Sequence, residues 1–193
     1  FDGSCGSSAA TIQSAINAAN AGGGDTVLVD NGLYLEAPII DRSLTLQAFN
    51  PASEANASNA ALQAIIDGNG AETTLRVSSG VDGVVIDGFE ITNPSHATNG
   101  TSPAGISVQS DSNAGTTVTL TVTNNVIHEV ASPARTVSPF GTGGIHAFNI
   151  GNGSVISGNT IYDLADSVPP APVGESPGSG RNQAILVKSS NGT

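Results

Sequence analysis

Residues 122–129 read VTNNVIHE and residues 156–163 read ISGNTIYD, so one phrase returns after 34 positions with an Asn at the same place. An internal repeat constrains the architecture before any single residue is interpreted, because each copy must build the same unit. A third copy precedes these two. VVIDGFEITN, LTVTNNVIHE and SVISGNTIYD align without gaps on Ile86, Val122 and Ile156, at spacings of 36 and 34. A second set interleaves with the first: GISVQS (105–110), GIHAFNI (144–150) and AILVKSS (184–190), whose starts lie 39 and 40 residues apart. Two interleaved sets with a shared period predict one supersecondary unit per period, stacked on the next.

The alignment also assigns faces, because side chains alternate along a strand. Ile86/Val122/Ile156 and Ile91/Ile127/Ile161 are apolar in every copy and are expected to point inward. Between them runs the column Phe89/Asn125/Asn159. Asn125 and Asn159 are expected one above the other at a bend, hydrogen-bonding along the stack and to the turn backbone. A β-sandwich would use NN and GN as hairpin marks only. Its strands would not keep one register through three copies joined by loops of such different length.

Upstream, the pattern is helical once. Ile12, Ala15, Ile16 and Ala19 fall at helical spacing behind Thr11, a good N-cap, and AGGGD ends the run, which predicts a short helix over about 11–20. The period then becomes two. TVLVD (26–30), APIID (37–41), SLTLQAF (43–49), AIIDG (64–68), TTLRVSS (73–79) and GVVIDGFEITN (83–93) read as strands separated by turn residues, with 50–63 as a polar, Ala-rich loop. No later segment reads as a good helix. The core must be built from Val, Ile, Leu and Ala, since aromatics are 4% of the chain and Trp and Met are absent.

The stretch TIQSAINAANAGGGDTVLVDNGLYLEAPIIDRSLTLQAF resembles the entry into a right-handed parallel β-helix of the pectate-lyase-like superfamily. VVIDGFEITN and the NNVI and GNTI phrases resemble its later rungs. The resemblance runs from Thr11 onward. It implies an all-β, single-stranded right-handed parallel β-helix, a solenoid with a short N-terminal capping α-helix. It leaves function open, because the same scaffold carries lyases, hydrolases, epimerases, adhesins and phage spikes. On this reading the 193 residues form one domain, with a cap over 1–25 and about four to five coils over 26–193. At roughly 4.8 Å per layer the rod is a little over 20 Å long. AILVKSSNGT stops just after a strand, where one more rung is due. The expectation is that the natural chain continues or that a neighbouring subunit covers this open edge.

Three long loops, 93–104, 129–143 and 163–183, leave successive coils at the same place and are expected to form one wall, where function commonly sits. After them come two outward columns, Ser107/His146/Leu186 and Gln109/Phe148/Lys188. His146, Phe148, Leu186 and Lys188 thus form a candidate assembly or ligand patch, since Phe148 and Leu186 are apolar on a face expected to be wet. Column Glu90/Val126/Thr160 is expected outward with a single carboxylate. Column Asn93/Glu129/Asp163 carries two, and Glu129 and Asp163 with neighbouring His128 are the best acid pair for hydrolytic or lyase chemistry. Asp82 and Asp87 are weak candidates for cation binding. Ca²⁺ is a possible ligand, although no loop has the spacing of a dedicated calcium site, and no other cofactor is expected. Asn56, Asn99, Asn152 and Asn191 stand in Asn-x-Ser/Thr sequons and are possible glycosylation sites.

Sixteen acidic residues against five basic ones give a net charge of −11. This disfavours phosphate backbones and anionic membranes as partners, and no apolar run approaches membrane-spanning length. Cys5 is the single cysteine, so it forms no disulfide within the chain, and no Cys/His zinc spacing exists. The start at Phe1 without Met reads as a mature secreted chain or an excised one. Two functions follow. One is a non-catalytic secreted module for extracellular structure, adhesion, or filament or surface-layer assembly, whose partner is itself, head-to-tail or laterally. The other is a polysaccharide lyase or glycoside hydrolase, or its N-terminal part, acting on acidic extracellular polysaccharide.

Overall fold

The structure, a computed structural model, describes residues 9–94, 103–108, 117–132, 142–166 and 182–188. It opens with helix α1 (Ile12–Ala18), one residue inside the expected start and two inside the expected end. Thr11 caps it: its side chain accepts from the Ser14 amide while Ser14 Oγ accepts from the Thr11 amide. Ile12 and Ile16, one helical turn apart, are buried against the first coil.

Five coils follow, with three strands in each of the first three and four in the fourth and fifth. The first has β1 (Asp25–Val29), β2 (Gly32–Leu35) and β3 (Ile39–Ile40). The second has β4 (Leu44–Ala48), β5 (Ala64–Asp67) and β6 (Thr73–Val77). The third has β7 (Val84–Asp87), β8 (Glu90–Thr92) and β9 (Ala104–Val108). The fourth has β10 (Leu120–Thr123), β11 (Val126–His128), β12 (Val130–Ser132) and β13 (Gly143–Phe148). The fifth has β14 (Val155–Ser157), β15 (Thr160–Ile161), β16 (Leu164–Asp166) and β17 (Gln183–Lys188).

Every strand pairs in parallel with its counterpart one coil away, and the result is three five-stranded sheets, β1-β4-β7-β10-β14, β2-β5-β8-β11-β15 and β3-β6-β9-β13-β17, with a two-stranded sheet β12-β16 beside them. This is the layout of a parallel β-solenoid. The pairings Ile86↔Val122↔Ile156 and Ile91↔Ile127↔Ile161 reproduce the aligned columns. Ile86, Val122, Ile91 and Ile127 are fully buried. Two features differ from the sequence expectation. GLYL at 32–35 is a strand, although Leu33 and Leu35 are exposed apolar residues and blur its alternation. The loops expected over 129–143 and 163–183 begin as strands, since β12 and β16 pair Val130↔Leu164 through Ser132↔Asp166. Most of the rest of the three loops lies outside the described residues.

The opening Asn is a corner device. Between the first and second sheets the chain turns at Gly88, Asn124 and Gly158, all with positive φ (83°, 56° and 66°), a region where Gly and Asn carry the least penalty. The next residues are Phe89, Asn125 and Asn159. Asn125 Oδ1 accepts from the Phe89 amide one coil below (3.0 Å), and Asn125 Nδ2 donates to the Ile86 and Thr123 carbonyls (3.2 and 2.9 Å). Asn159 repeats this, accepting from the Asn125 amide (3.0 Å) and donating to the Val122 and Ser157 carbonyls (2.9 and 3.1 Å). Each side chain closes the corner of the coil beneath it. Under Phe89 the chain follows the excursion 49–63 in place of a tight corner, so an amide has nothing to close there and a buried Phe fills the core instead.

A second column explains the Gly before Ile in the other repeat. Gly105 and Gly144 lie where the third sheet begins, pressed against the inward Ile127 and Ile161. A Cβ on Gly144 would sit 2.6 Å from Ile161 Cγ2 and 2.7 Å from the Ala184 carbonyl oxygen.

Two substitutions test these contacts in urea unfolding. Asn125→Ala orphans the Phe89 amide and two carbonyls and is expected to cost about 2–4 kcal/mol, with Asn125→Asp failing to rescue because a carboxylate cannot donate to Ile86 and Thr123. Gly144→Ala is expected to cost about 1–3 kcal/mol through overpacking. A loss below a few tenths of a kcal/mol in either would remove the proposed contact from the account.

Candidate functional site

The densest polar cluster lies on the outer face of the second sheet, where Thr92, His128 and Tyr162 follow one another up the stack. Glu90 was expected to face solvent, but it is fully buried. The excursion 49–63 folds over it: both carboxylate oxygens accept from the Ser58 amide at 2.9 Å, and Gln63 Nε2 donates to Oε2. Gln63 is itself buried, and its Oε1 holds the Ser53 amide at 3.0 Å. From the coil above, His128 Nε2 meets Glu90 Oε1 at 2.8 Å. The imidazole is then roofed by Tyr162, whose ring stacks on it at 5.0 Å and 4°.

Glu129 and Asp163 do fall in one column, one coil apart. Both have positive φ (53° and 49°), as has Asn93 (56°) below them, so this column is a second left-handed corner. Thr92 Oγ1 donates to Glu129 Oε2 at 2.9 Å, and His128 Nδ1 lies 3.7 Å from the same oxygen. The Glu129 side chain is 65% exposed. The structure therefore brings His128 and Glu129 together and adds Glu90, Thr92 and Tyr162. His128 faces a buried carboxylate below and an aromatic ring above, which is an anchor for the 49–63 excursion.

Burial pushes the His128 imidazole down, but the hydrogen bond and charge of Glu90, with the charges of Glu129 and Asp163, outweigh it and raise its pKa above 6.5. Burial likewise pushes the Glu90 carboxyl up, and the bonds from His128, the Ser58 amide and Gln63 more than reverse that.

Asp82 and Asp87 also make hydrogen bonds between coils. Asp82 is expected as a weak cation ligand, but it accepts from both the amide and the hydroxyl of Thr119 at 2.6 Å, which lowers its pKa. Asp87 accepts from Gln47 below and from Thr123 and Asn124 above, so one carboxylate spans three coils. Among the described residues no group of three or more His, Cys, Asp and Glu is arranged to hold a metal ion.

The column Ser107/His146/Leu186 has the expected register. His146, however, is only 2% exposed, not a surface residue, and it lies edge-on to the half-buried Phe148 at 6.2 Å. Its Nε2 has no hydrogen-bond partner, and burial pushes the imidazole down to about 4. Leu186 is half-buried, and the Lys188 side chain lies outside the described residues. The exposed apolar side chains belong to the inward column of the same strand: Ile185 is 44% and Val187 53% exposed, whereas Ile145 and Ala147 beneath them are sealed.

Of the sequons, Asn56 is half-buried at the end of a 3₁₀ turn (Glu54–Asn56) and Asn152 is exposed in a turn. Asn99, Asn191 and Cys5 lie outside the described residues. On the outer face of the third sheet, Ala37, Ile39, Ala71, Glu72, Thr73 and Arg76 line a shallow hollow of about 200 Å³. No described helix is long and apolar enough to cross a membrane.

The pH dependence of stability follows from the two histidines. His128, with its raised folded pKa, contributes stability that is complete below 6.5 and is lost as pH rises through the folded value. His146, with its depressed folded pKa, contributes stability that is complete above 6.5 and is lost as pH falls toward about 4. Below 4.5, protonation of Glu90 removes a further part. Urea midpoints are therefore expected to peak near pH 6.5. His128→Gln should flatten the alkaline limb selectively, and an alkaline limb unchanged in that variant would show that the pair does not set it.

Compared with known proteins, the chain matches no family model, no curated protein and no solved structure.

Proposed function

We propose that this chain is a structural parallel β-helix module of the pectate-lyase-like, right-handed type, which acts outside the cell by joining its fifth coil to that of another copy. The observation that carries the reading is the fifth coil. Ile185 and Val187 point along the inward column yet are half exposed, and Val155 on β14 is 43% exposed. The edges of β14, β15 and β17 carry no further strand among the described residues. An unpaired edge beside uncovered apolar side chains is a template for added β-structure.

The opposite end supports a particular geometry. There α1 covers the first rung, and Gln13 meets the edge of β3 with its own amide, accepting from the Ile39 amide at 2.7 Å and donating to the Ile39 carbonyl at 3.2 Å. Two fifth coils meeting about a twofold axis would form a closed, isologous contact, whereas head-to-tail stacking would need the helix displaced. The Asn stack and the capping helix support the pectate-lyase-like assignment. The engagement of Asp82, Asp87 and Glu90 in bonds between coils supports a scaffold over a catalyst.

Sedimentation of the 193-residue chain across a concentration series is the test. A reversible dimer is expected, with Val187→Lys giving a monomer of unchanged circular dichroism. A monomer at all concentrations would overturn the reading. Cleavage of an acidic polysaccharide, lost in Glu129→Gln or Asp163→Asn, would replace it with the enzyme reading.

A further inference from the structure

Five Asn–Gly pairs occur in the chain, at 31–32, 69–70, 99–100, 152–153 and 191–192, and the first, second and fourth are described. An Asn followed by Gly can cyclise on itself, because no side chain shields the next peptide nitrogen. The three described pairs hold that nitrogen differently. The Gly32 amide donates to the Gln63 carbonyl one coil away at 3.2 Å. The Asn31 side chain is also tied, donating to the Ala61 carbonyl and accepting from Asn50. The Gly70 amide donates to the Asn93 carbonyl, again one coil away, at 3.2 Å. Gly153 differs: its amide makes no hydrogen bond and the Asn152 side chain makes none, and the pair is exposed, as Asn69 and Gly70 also are.

We propose that Asn152 is the site of a spontaneous backbone modification, selected over Asn31 and Asn69 by the fold. The Gly153 nitrogen attacks Asn152 Cγ, the Cγ–Nδ2 bond breaks, and ammonia leaves with the amide proton. Water then opens the resulting succinimide at either carbonyl, giving aspartate or isoaspartate. No oxidant or cofactor takes part. The product carries one more negative charge, and the isoaspartyl form carries one more carbon in the main chain.

That extra carbon falls at a coil-to-coil fastening. On one side of the pair the Gly151 amide donates to the Val118 carbonyl at 2.8 Å. On the other, Ser154 Oγ accepts from the Leu120 amide at 3.1 Å. Lengthening the segment between these two anchors pulls on both, so the modification loosens β14 from β10. The amide of Asn152 is also the acceptor atom of its sequon, so a glycan there would block the reaction.

The test is peptide mapping of the intact folded chain aged in mildly alkaline buffer, with isoaspartate methyltransferase as the probe for the isoaspartyl product. Asn152 is expected to convert several-fold faster than Asn69 and Asn31, and in denaturant the three rates should draw together. Conversion of Asn69 or Asn31 as fast as Asn152 in the folded chain would overturn the proposal. So would a rate ratio that survives denaturation, since sequence and not fold would then set it. A folded Asn152 that stays intact while a synthetic peptide spanning 148–157 converts would overturn it as well.

Discussion

The constraint behind this structure is that a coil with left-handed corners cannot satisfy its own backbone. At Gly88, Asn124 and Gly158 the chain leaves one sheet and enters the next, and the corner amides point along the stack. Only the neighbouring coil can reach them. Asn125 and Asn159 do so through side chains, and the Val126 and Thr160 amides do so directly, donating to the Phe89 and Asn125 carbonyls at 2.9 and 2.8 Å. Glu90 with His128, Asp82 with Thr119, Asp87 with Thr123, Thr92 with Glu129 and Leu120 with Ser154 are further links between different coils. Stability in such a molecule is close to a sum of nearest-neighbour terms.

That arithmetic makes the ends unequal. The first coil has a neighbour supplied by α1. Glu36 accepts from the Ile12 and Gln13 amides at 2.8 and 3.0 Å, and Arg42 donates to the Asn17 and Ala19 carbonyls at the other end of the helix. Among the described residues the fifth coil has neighbours on one side only. Its inward residues Ile156 and Ile161 are partly buried, where Val122 and Ile127 are sealed. The coil with the weakest support thus holds the exposed edge, the uncovered Ile185 and Val187, and the untethered Asn152–Gly153 turn. In a nearest-neighbour solenoid this is where opening costs least.

The coils were legible because they repeat. The columns through Ile86 and Ile91 and the Asn stack could be read from spacing alone, since each rests on a residue type that recurs wherever the geometry recurs; the helix was legible from its own 3.6-residue period, and its capping position from the family resemblance. Glu90 shows where that reading ends. Its strand position was legible and its outward direction followed, but its burial depends on residues 49–63, an excursion made once and therefore without a period. His146 failed for the same reason, as alternation gives a side chain's direction and not what covers it. The hidden roles of Asp82 and Asp87 had a readable signal: Thr119 and Thr123 stand 37 and 36 residues later, about one coil on.

The absorbed acids show how a chain with 16 acidic and five basic residues can remain compact. There are too few cations to pair them, so Asp82, Asp87 and Glu90 take hydroxyl, amide and backbone N–H donors. Hydrogen bonds to an ionised acceptor are stronger than neutral ones and, unlike surface ion pairs, lose little to screening by salt. The cost is dependence on ionisation: each of the three carboxyls is held below its ordinary pKa, so each link weakens on protonation. Charge also accumulates along a rod whose coils lie one strand spacing apart. Among the described residues, Asp25 and Asp87 lie on the first sheet, Asp67 and Glu90 on the second and Glu129 and Asp163 at a corner, while the strands of the third sheet carry no acid. A carboxylate pair close enough for hydrolysis would have to be built against that tendency. In the column Glu129/Asp163, Thr92 already draws Glu129 back onto the coil below, and His128 flanks it on its own coil.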